Sequence, residues 1–475
     1  MNKYIRHGFF CFVTAIILVS GCKKFITIDP PFTSTSTDQV YSKDATAAAS
    51  LTAIYTQMSQ ADVIPGQGIT SVSIDAGLYA DELDYVSPIN NTNNYLWTNQ
   101  LTPVDGLQND WNRIYNSIYE TSAAIEGLKS SSTLTPAVKQ QLLGEAMFLR
   151  GFFYFYLVNF FGDVPLALST DYKVNSLLSR APQEKVYNQI ISDLQAADSL
   201  LNVDYMGGDA HSLTSERVRP SKAAAETMLA RVYLYQKDYP EAESFATKVI
   251  SNTGSYGLVS LDSVFLKNNR ETIWSIPSVK TGAETNTAEG RAFLLSATTN
   301  NLNGPAYNLT EALLNTFEPG DQRKAKWTAE GTAQNNQTFQ FAYKYKIGRD
   351  PVPTIEYSMV LRLAELYLIR SEARAMQNNI TEAQQDLNAI RHRAGLSNTT
   401  ASTQDALVTA ILHERRVELF TEWGHRFFDL KRLGKLDAVL STEKPQWNTD
   451  DQYFPIPKTE RDRDPNLSQN PGYTD

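Results

Sequence analysis

The sequence contains very few cysteine residues. Its 475 residues include only two cysteines, Cys11 and Cys22, and both lie close to the N-terminus. This scarcity excludes a small disulfide-stapled fold and a zinc cluster built from cysteines. It also leaves the folded body without a cysteine nucleophile.

Histidine is scarce as well, with five residues in the whole chain. The pair His413-Glu414 begins like the helix of a zinc protease, but the second histidine would have to stand at position 417, which is Val417. The sequence has neither a G-x-S-x-G nucleophile elbow nor a G-x-x-x-x-G-K phosphate loop. We therefore predict no metal site, no cofactor and no catalytic residue.

An excess of positive charge is also missing. Lys and Arg number 43 against 52 for Asp and Glu, so the formal net charge is -9 at pH 7. A nucleic-acid partner held by a general basic surface is therefore not expected. With 42% hydrophobic and 20% charged residues, the composition is that of a globular protein with a sizeable core.

The N-terminus has the layout of a lipoprotein signal. A positively charged start precedes the apolar run Phe9 to Val19, which is shorter than the ~20 residues that a membrane span needs. The run ends in Leu18-Val19-Ser20-Gly21-Cys22, which resembles the lipobox of bacterial lipoproteins. We predict that residues 1–21 are a signal peptide, that Cys22 carries a lipid and that residues 22–40 form a tether. The alternative is an ordinary signal peptide followed by an incidental cysteine.

Two stretches predict the same arrangement of paired helices. In Ser221 to Ile250, alanine and larger apolar residues recur at helical spacing on both sides of the turn at 237–240. Ser358 to Gly395 repeats this layout around Asn378-Asn379. The layout resembles a tetratricopeptide repeat, in which small residues let paired helices approach closely. Weaker pairs are Pro136–Phe161 with Glu184–Leu201, and Asp405–Leu433. A helical bundle without repeats is the alternative.

Long polar segments separate the predicted helices. Residues of about 62–110 and 253–345 are rich in polar and turn-forming residues and contain isolated aromatic side chains. Because loops of this length in a compact protein are usually functional, we expect these two segments to carry the ligand face. Short strands are predicted at Val259–Phe265, Ile273–Ile276 and Phe339–Tyr345.

Five stretches follow one another in an order and spacing that are specific together, although each is weak alone. They are Cys22-Lys23-Lys24-Phe25 leading to Asp29-Pro30-Pro31; Ala146 to Phe155 followed by Phe161-Gly162-Asp163-Val164-Pro165-Leu166; Arg362 to Ala373 with Leu387-Asn388-Ala389-Ile390-Arg391; Glu414 to Leu419 through Arg426 and Arg432; and Phe454-Pro455-Ile456-Pro457 with Gln469-Asn470-Pro471-Gly472-Tyr473. In these stretches the chain resembles the SusD/RagB-like lipoproteins, the nutrient-binding partners of outer-membrane transporters in Bacteroidetes.

The resemblance implies a mainly α fold. Its tetratricopeptide-like helix-pair scaffold would occupy about 136–250 and 358–433, with the two long segments inserted as ligand-face loops beside a few short strands. It further implies that residues 22–475 form a single SusD-like domain.

The resemblance also implies a function. We expect a non-catalytic lipoprotein that is anchored to the outer membrane, faces the cell exterior, captures an oligosaccharide and delivers it to a SusC-like TonB-dependent transporter. Peptide capture, as on the RagB side of the family, is an alternative. A surface glycoside hydrolase is another, because it needs only two suitably spaced carboxyl groups. A pure assembly scaffold without a small ligand is the third.

Sugar binding calls for exposed aromatic rings beside hydrogen-bonding side chains. Trp97, with Asn99 close by in a polar segment, fits this need. Family members whose glycan sites are known use an aromatic arc with a few polar residues, and transfer by position implies that further ligand-binding residues are Asp75, Asp81, Tyr307, Trp327 and Arg291. For each of the aromatic residues the alternative is that the ring is buried and packs its loop against the scaffold.

Charged residues also occur on helices that otherwise look buried. Glu365 and Arg370 lie on one such helix, and Glu414 and Glu418 lie on another. We interpret these charges as buried ion pairs of the scaffold and not as catalytic groups, because a buried charge needs a partner.

Overall fold

The computed structural model describes residues 37–61, 67–86, 91–104, 107–294, 307–332 and 336–474. The predicted signal peptide, Cys22 and most of the predicted tether lie outside these residues. None of the helices in the described ranges is both long enough and apolar enough to cross a membrane.

The described part of the chain is mainly helical. The longer helices are α1 (Asp44–Gln60), α2 (Gln108–Ser130), α3 (Pro136–Phe161), α4 (Gln183–Leu200), α5 (Lys222–Tyr235), α6 (Tyr239–Ser251), α7 (Leu363–Met376), α8 (Ile380–Arg393) and α9 (Gln404–Leu419). Shorter helices lie at Thr37–Val40, Val72–Tyr79, Thr92–Trp97, Tyr172–Asn175, Ala288–Phe293, Glu311–Leu314, Gln322–Trp327, His425–Arg432, Leu436–Glu443 and Lys458–Arg463, with 3-10 turns at Gly68–Ser71, Gly282–Glu284 and Thr449–Gln452. The predicted mainly α fold is confirmed.

The strands are short and pair in twos. They are β1 (Leu83–Tyr85), β2 (Val164–Pro165), β3 (Arg180–Ala181), β4 (Thr272–Ile276), β5 (Tyr307–Leu309), β6 (Thr328–Thr332), β7 (Thr338–Ala342) and β8 (Ser358–Arg362). All four pairs, β1 with β5, β2 with β3, β4 with β8 and β6 with β7, are antiparallel. The strands predicted at 273–276 and 339–345 correspond to β4 and β7. The one predicted at Val259–Phe265 is wrong, because this stretch forms consecutive turns that end in an isolated bridge at Leu266.

The predicted helix pairs form as expected. Helices α5 and α6 pack together, as do α7 and α8, and α6 lies against α7. The turn between α5 and α6 has Lys237 at φ 61°, and the turn between α7 and α8 has Asn378 at φ 64°. After Lys237, the side chain of Asp238 accepts a hydrogen bond from Glu241 N and so caps α6. Small residues such as Ala224 and Ala246 are fully buried where the helices meet.

Helix α3 is buried on nearly all sides from its middle to its end. The helix begins at Pro136, because the first N–H groups of a helix have no partner within it and proline therefore loses no hydrogen bond there. Gly162, at φ 74°, ends the helix. Phe148 and Phe152 on this helix meet Trp274 of β4 at ring-centroid distances of 5.1 and 5.2 Å. The second long segment therefore contributes β4 to the centre of the core, although its sequence predicts a mainly exposed insertion.

A network of buried ion pairs joins α9 to the strands and to α8. Glu418 contacts Arg323 at 3.0 Å and Arg362 at 2.6 Å, and Arg393 also pairs with it. Burial alone would raise the pKa of Glu418, but the three guanidinium groups outweigh burial and hold that pKa well below its ordinary value. The other predicted scaffold charges are likewise paired: Glu365 with Arg231, Arg370 with Asp386, and Glu414 with Arg323.

Candidate functional site: the Trp97 cavity

A cavity of about 420 Å³ opens beside Trp97, and we call it the Trp97 cavity. Its lining residues are Asp81, Asp84, Trp97, Thr98, Thr310, Glu311, Ala312, Glu443, Lys444, Pro445 and Gln446. Three separate parts of the chain build it: residues 81–84 with 97–98, residues 310–312, and residues 443–446. The volume lies within the range of small-ligand pockets.

Trp97 is the last residue of a short helix that is closed at both ends. At its start, the side chain of Asn91 accepts a hydrogen bond from Asn93 N. At its end, Asn99 takes φ 54°, and Gln100 N donates to Tyr95 O over 2.9 Å. This left-handed cap is a position that asparagine tolerates better than most residues, and it terminates the helix just after the indole.

The indole of Trp97 is partly exposed and is held in place at its edge. Its Nε1 donates to Asp84 Oδ1 over 3.0 Å. Lys444 Nζ donates to the carbonyl oxygens of Trp97, over 3.1 Å, and of Leu78, over 2.9 Å. Burial lowers the pKa of Lys444 to about 8, so the ammonium is still mostly protonated at neutral pH. The ring thus has a fixed orientation while part of its surface faces the cavity.

Asp81 lines the same cavity but is only 2% exposed. Arg426 Nε contacts its Oδ1 at 2.8 Å, and Arg416 Nη2 contacts its Oδ2 at 2.7 Å. Burial opposes ionisation of Asp81, but these two arginines outweigh it and keep the pKa of Asp81 below its ordinary value. Asp81 is therefore an ionised group that anchors the cavity floor to α9 and to the helix His425–Arg432.

Three other predicted residues are buried and are not among those that line the Trp97 cavity. Asn99 is 3% exposed and donates through Nδ2 to Tyr79 O over 2.9 Å. Tyr307 is 3% exposed and donates through its hydroxyl to Asn93 Oδ1 over 3.0 Å, which ties β5 to the Trp97 helix. Asp75 is buried beside Ser71, and its charge is close enough to raise the pKa of Tyr307 beyond the effect of burial. All three side chains are therefore buried, whereas the prediction placed them in a ligand-facing loop.

The last two predicted residues lie elsewhere. Trp327 is fully buried and donates through Nε1 to Leu261 O over 3.0 Å, so it is a core residue and not an exposed platform. Arg291 is 8% exposed and donates to the backbone oxygens of Glu284 and Asn286, each over 3.1 Å. Its guanidinium closes a loop of the second long segment and does not reach the Trp97 cavity.

The cavity also contains residues that local sequence patterns did not indicate. Asp84 holds the indole, whereas Glu311, Pro445 and Gln446 are exposed on the facing wall. Of these, only Asp84 stands beside an aromatic residue of the first long polar segment, because Tyr85 directly follows it in β1. The segment around Lys444 is 347 residues away from Trp97, and no spacing rule connects the two.

Two family models match the chain in two separate parts. One, described as "Starch-binding associating with outer membrane", matches residues 36–234, and the other, described as "SusD family", matches residues 293–473. The chain belongs to the SusD/RagB-like family. Among curated relatives, SusD-like protein P2 of Formosa agariphila is 27% identical over 69% of this chain and 73% of its own length. SusD-like protein P25 of the same organism is 23% identical, with 92% of each chain covered.

Solved structures of SusD-like proteins share the fold of this SusD-like chain. A SusD superfamily protein from Bacteroides vulgatus matches with a TM-score of 0.79 at 22% identity, covering 91% of this chain and 100% of its own. A laminarin-binding SusD-like protein matches with a TM-score of 0.74 at 23% identity, covering 90% and 99%. Surface glycan-binding protein A from Bacteroides fluxus matches with a TM-score of 0.71 at 23% identity, with the same coverage.

Proposed function

We propose that this SusD-like chain binds a carbohydrate at the outer membrane and holds it in the Trp97 cavity without cleaving it. The observation that carries the proposal is the partly exposed indole that lines the cavity, with its Nε1 held by Asp84 and the backbone oxygen of Trp97 held by Lys444. A pyranose has an apolar C–H face that stacks on such a ring and hydroxyl groups that bond to polar neighbours. Thr98, Glu311 and Gln446 offer those neighbours. The names of the laminarin-binding and glycan-binding relatives agree with this ligand class.

The state of Asp81 argues against its use as the general acid of a hydrolase. A glycoside hydrolase needs a protonated carboxyl group as general acid, and such groups have a raised pKa. Asp81 has the opposite property, because Arg416 and Arg426 keep it ionised. An ionised, doubly paired carboxylate serves as a structural anchor and a hydrogen-bond acceptor, and it has no proton to give to a leaving group.

The proposal extends to location and partner. A lipid on Cys22 and a tether of residues 22–40 would keep the protein at the outer membrane, as the family description of an outer-membrane association suggests. A SusC-like TonB-dependent transporter would take up the captured saccharide. Tethering beside the transporter raises the effective concentration of the binding site, so recapture is fast without a high intrinsic affinity.

The proposal is tested by affinity electrophoresis of the purified protein in gels that contain different polysaccharides, a panel beginning with starch and laminarin. We expect slower migration in at least one polysaccharide gel and no new reducing ends after prolonged incubation with it. Bovine serum albumin, run in the same gels, controls for sieving. Release of reducing ends would support the hydrolase alternative. Binding to peptides without retention by any polysaccharide would support the RagB-like alternative and contradict the proposal.

A further inference from the structure

A second groove lies on the surface of helix α2, and we call it the Tyr119 groove. It has a volume of about 520 Å³, and its lining residues include none of those of the Trp97 cavity. One side is α2, and the other sides are the segments 165–178 and 460–467. Of the residues that line it, only Pro165 belongs to one of the five stretches that resemble the family.

One face of α2 forms a stripe of aromatic and amide side chains along the groove. Asn112, Tyr115, Asn116 and Tyr119 follow at spacings that place all four on the same side of the helix. Tyr115 is fixed, because its hydroxyl donates to Pro165 O over 2.8 Å. Tyr119 is 53% exposed and is a large ring on the solvent-facing side of this amphipathic helix.

The amides of this stripe are available for a ligand. Within the described ranges, the side chains of Asn112 and Asn116 form no hydrogen bond with the protein. Ser169 and Ser176 face them from the segment 165–178. The groove therefore presents one exposed ring with neutral donors and acceptors on α2 and on the segment 165–178, whereas the segment 460–467 adds the charged residues Glu460, Arg463 and Asp464.

The polar surface continues beyond Tyr119. Tyr119 and Asn116 also line a neighbouring cavity of about 580 Å³, to which Gln57, Gln60 and Gln67 contribute further amides. Tyr119 thus stands at the boundary of two adjoining depressions. Together they form an extended track in which the exposed ring is central.

We propose that the Tyr119 groove is a second carbohydrate site, which binds another stretch of a saccharide chain with Tyr119 as the stacking platform. The inference rests on the proposed function, because it assigns the same ligand class to a separate surface. The alternation of rings and neutral amides matches the C–H faces and hydroxyl rims of successive sugar units. An amphipathic peptide helix would instead need a continuous apolar stripe, which Asn112 and Asn116 interrupt.

This site is tested by isothermal titration with maltoheptaose and with laminariheptaose. They are soluble fragments of starch and laminarin, respectively. We expect two binding sites per chain with one of these probes. Tyr119→Ala should weaken one of them by about tenfold or more and leave the other unchanged. Tyr172→Ala is the matched control, since Tyr172 is 73% exposed but does not line the groove. Because Tyr119 is mostly exposed, thermal unfolding of Tyr119→Ala should coincide with that of the wild type.

The outcomes separate the two proposals. One site that Trp97→Ala weakens and Tyr119→Ala does not would overturn the Tyr119 groove and leave the proposed function in place. Absence of binding to both heptaoses and to every panel polysaccharide would overturn both. Binding of a peptide at the groove, with no effect of Tyr119→Ala on either heptaose, would also overturn the second carbohydrate site.

Discussion

Replacing Glu418 with alanine should lower the free energy of unfolding by about 3–5 kcal/mol, because one partner of a buried ion pair is removed. Glu418 is fully buried and accepts contacts from Arg323, Arg362 and Arg393. Without Glu418, these guanidinium groups would face each other in a dry interior with less compensating charge. Urea unfolding monitored by circular dichroism measures the loss.

The matched control is an exposed carboxylate in a simple pair. Asp462 contacts Lys458 Nζ at 2.7 Å, and its side chain is 60% exposed. Asp462→Asn should change the free energy of unfolding by less than about 1 kcal/mol. An equally small change in Glu418→Ala would show that the buried network does not stabilise the fold.

The pH dependence of stability should follow from the same carboxylate. Since the pKa of Glu418 is held below its ordinary value in the folded chain, its contribution is present at neutral pH, above the unfolded pKa. That contribution is lost as the pH falls through the folded pKa. The difference in stability between wild type and Glu418→Ala should therefore narrow toward strongly acidic pH.

The second large effect is expected at Trp274 in β4. Trp274→Ala should cost about 3–5 kcal/mol, because it opens a cavity in the core that neighbouring rings cannot fill. Trp274 is fully buried between Phe148, Phe152 and Tyr55, and its Nε1 donates to Val218 O over 3.1 Å. The midpoint of urea unfolding reports the loss.

Two further variants serve as controls for this loss of stability. Trp274→Phe keeps most of the ring volume and should cost less than the alanine variant. Tyr172→Ala removes a ring that is 73% exposed and should change the stability by no more than about 0.5 kcal/mol. If Trp274→Ala unfolds at the same urea concentration as Tyr172→Ala, the placement of β4 at the centre of the core is wrong.

The helix pairs were predictable because their signals are local. Apolar side chains that recur every three to four residues define a helical face, and a turn with Asn378 or Lys237 in the left-handed region closes each pair. The buried charges were predictable for a related reason, because carboxylates such as Glu418 within an apolar helix stripe require partners. Which arginines supply those partners, for example Arg323 from outside the scaffold, is decided only by tertiary packing.

The site residues were less predictable. A tryptophan in a polar segment is compatible both with an exposed ring and with a buried one, and in the structure Trp97 is partly exposed whereas Trp327 is fully buried. What separates them is a distant partner: Trp327 bonds to Leu261 O, whereas Trp97 bonds to Asp84 at the edge of an open cavity. The facing wall around Lys444 comes from the far end of the chain, so only the folded structure brings it to Trp97.

The central claim is that Trp97 forms the stacking platform of a carbohydrate site. The most direct test is isothermal titration with a fragment of a polysaccharide that the protein binds in the panel. The fragment is titrated into Trp97→Ala and into the parent chain. Both proteins should carry Tyr119→Ala, so that only the Trp97 cavity contributes heat. We predict that Trp97→Ala weakens the affinity by about tenfold or more in protein that circular dichroism shows to be folded at the titration temperature. An affinity equal to that of the parent chain would contradict the account.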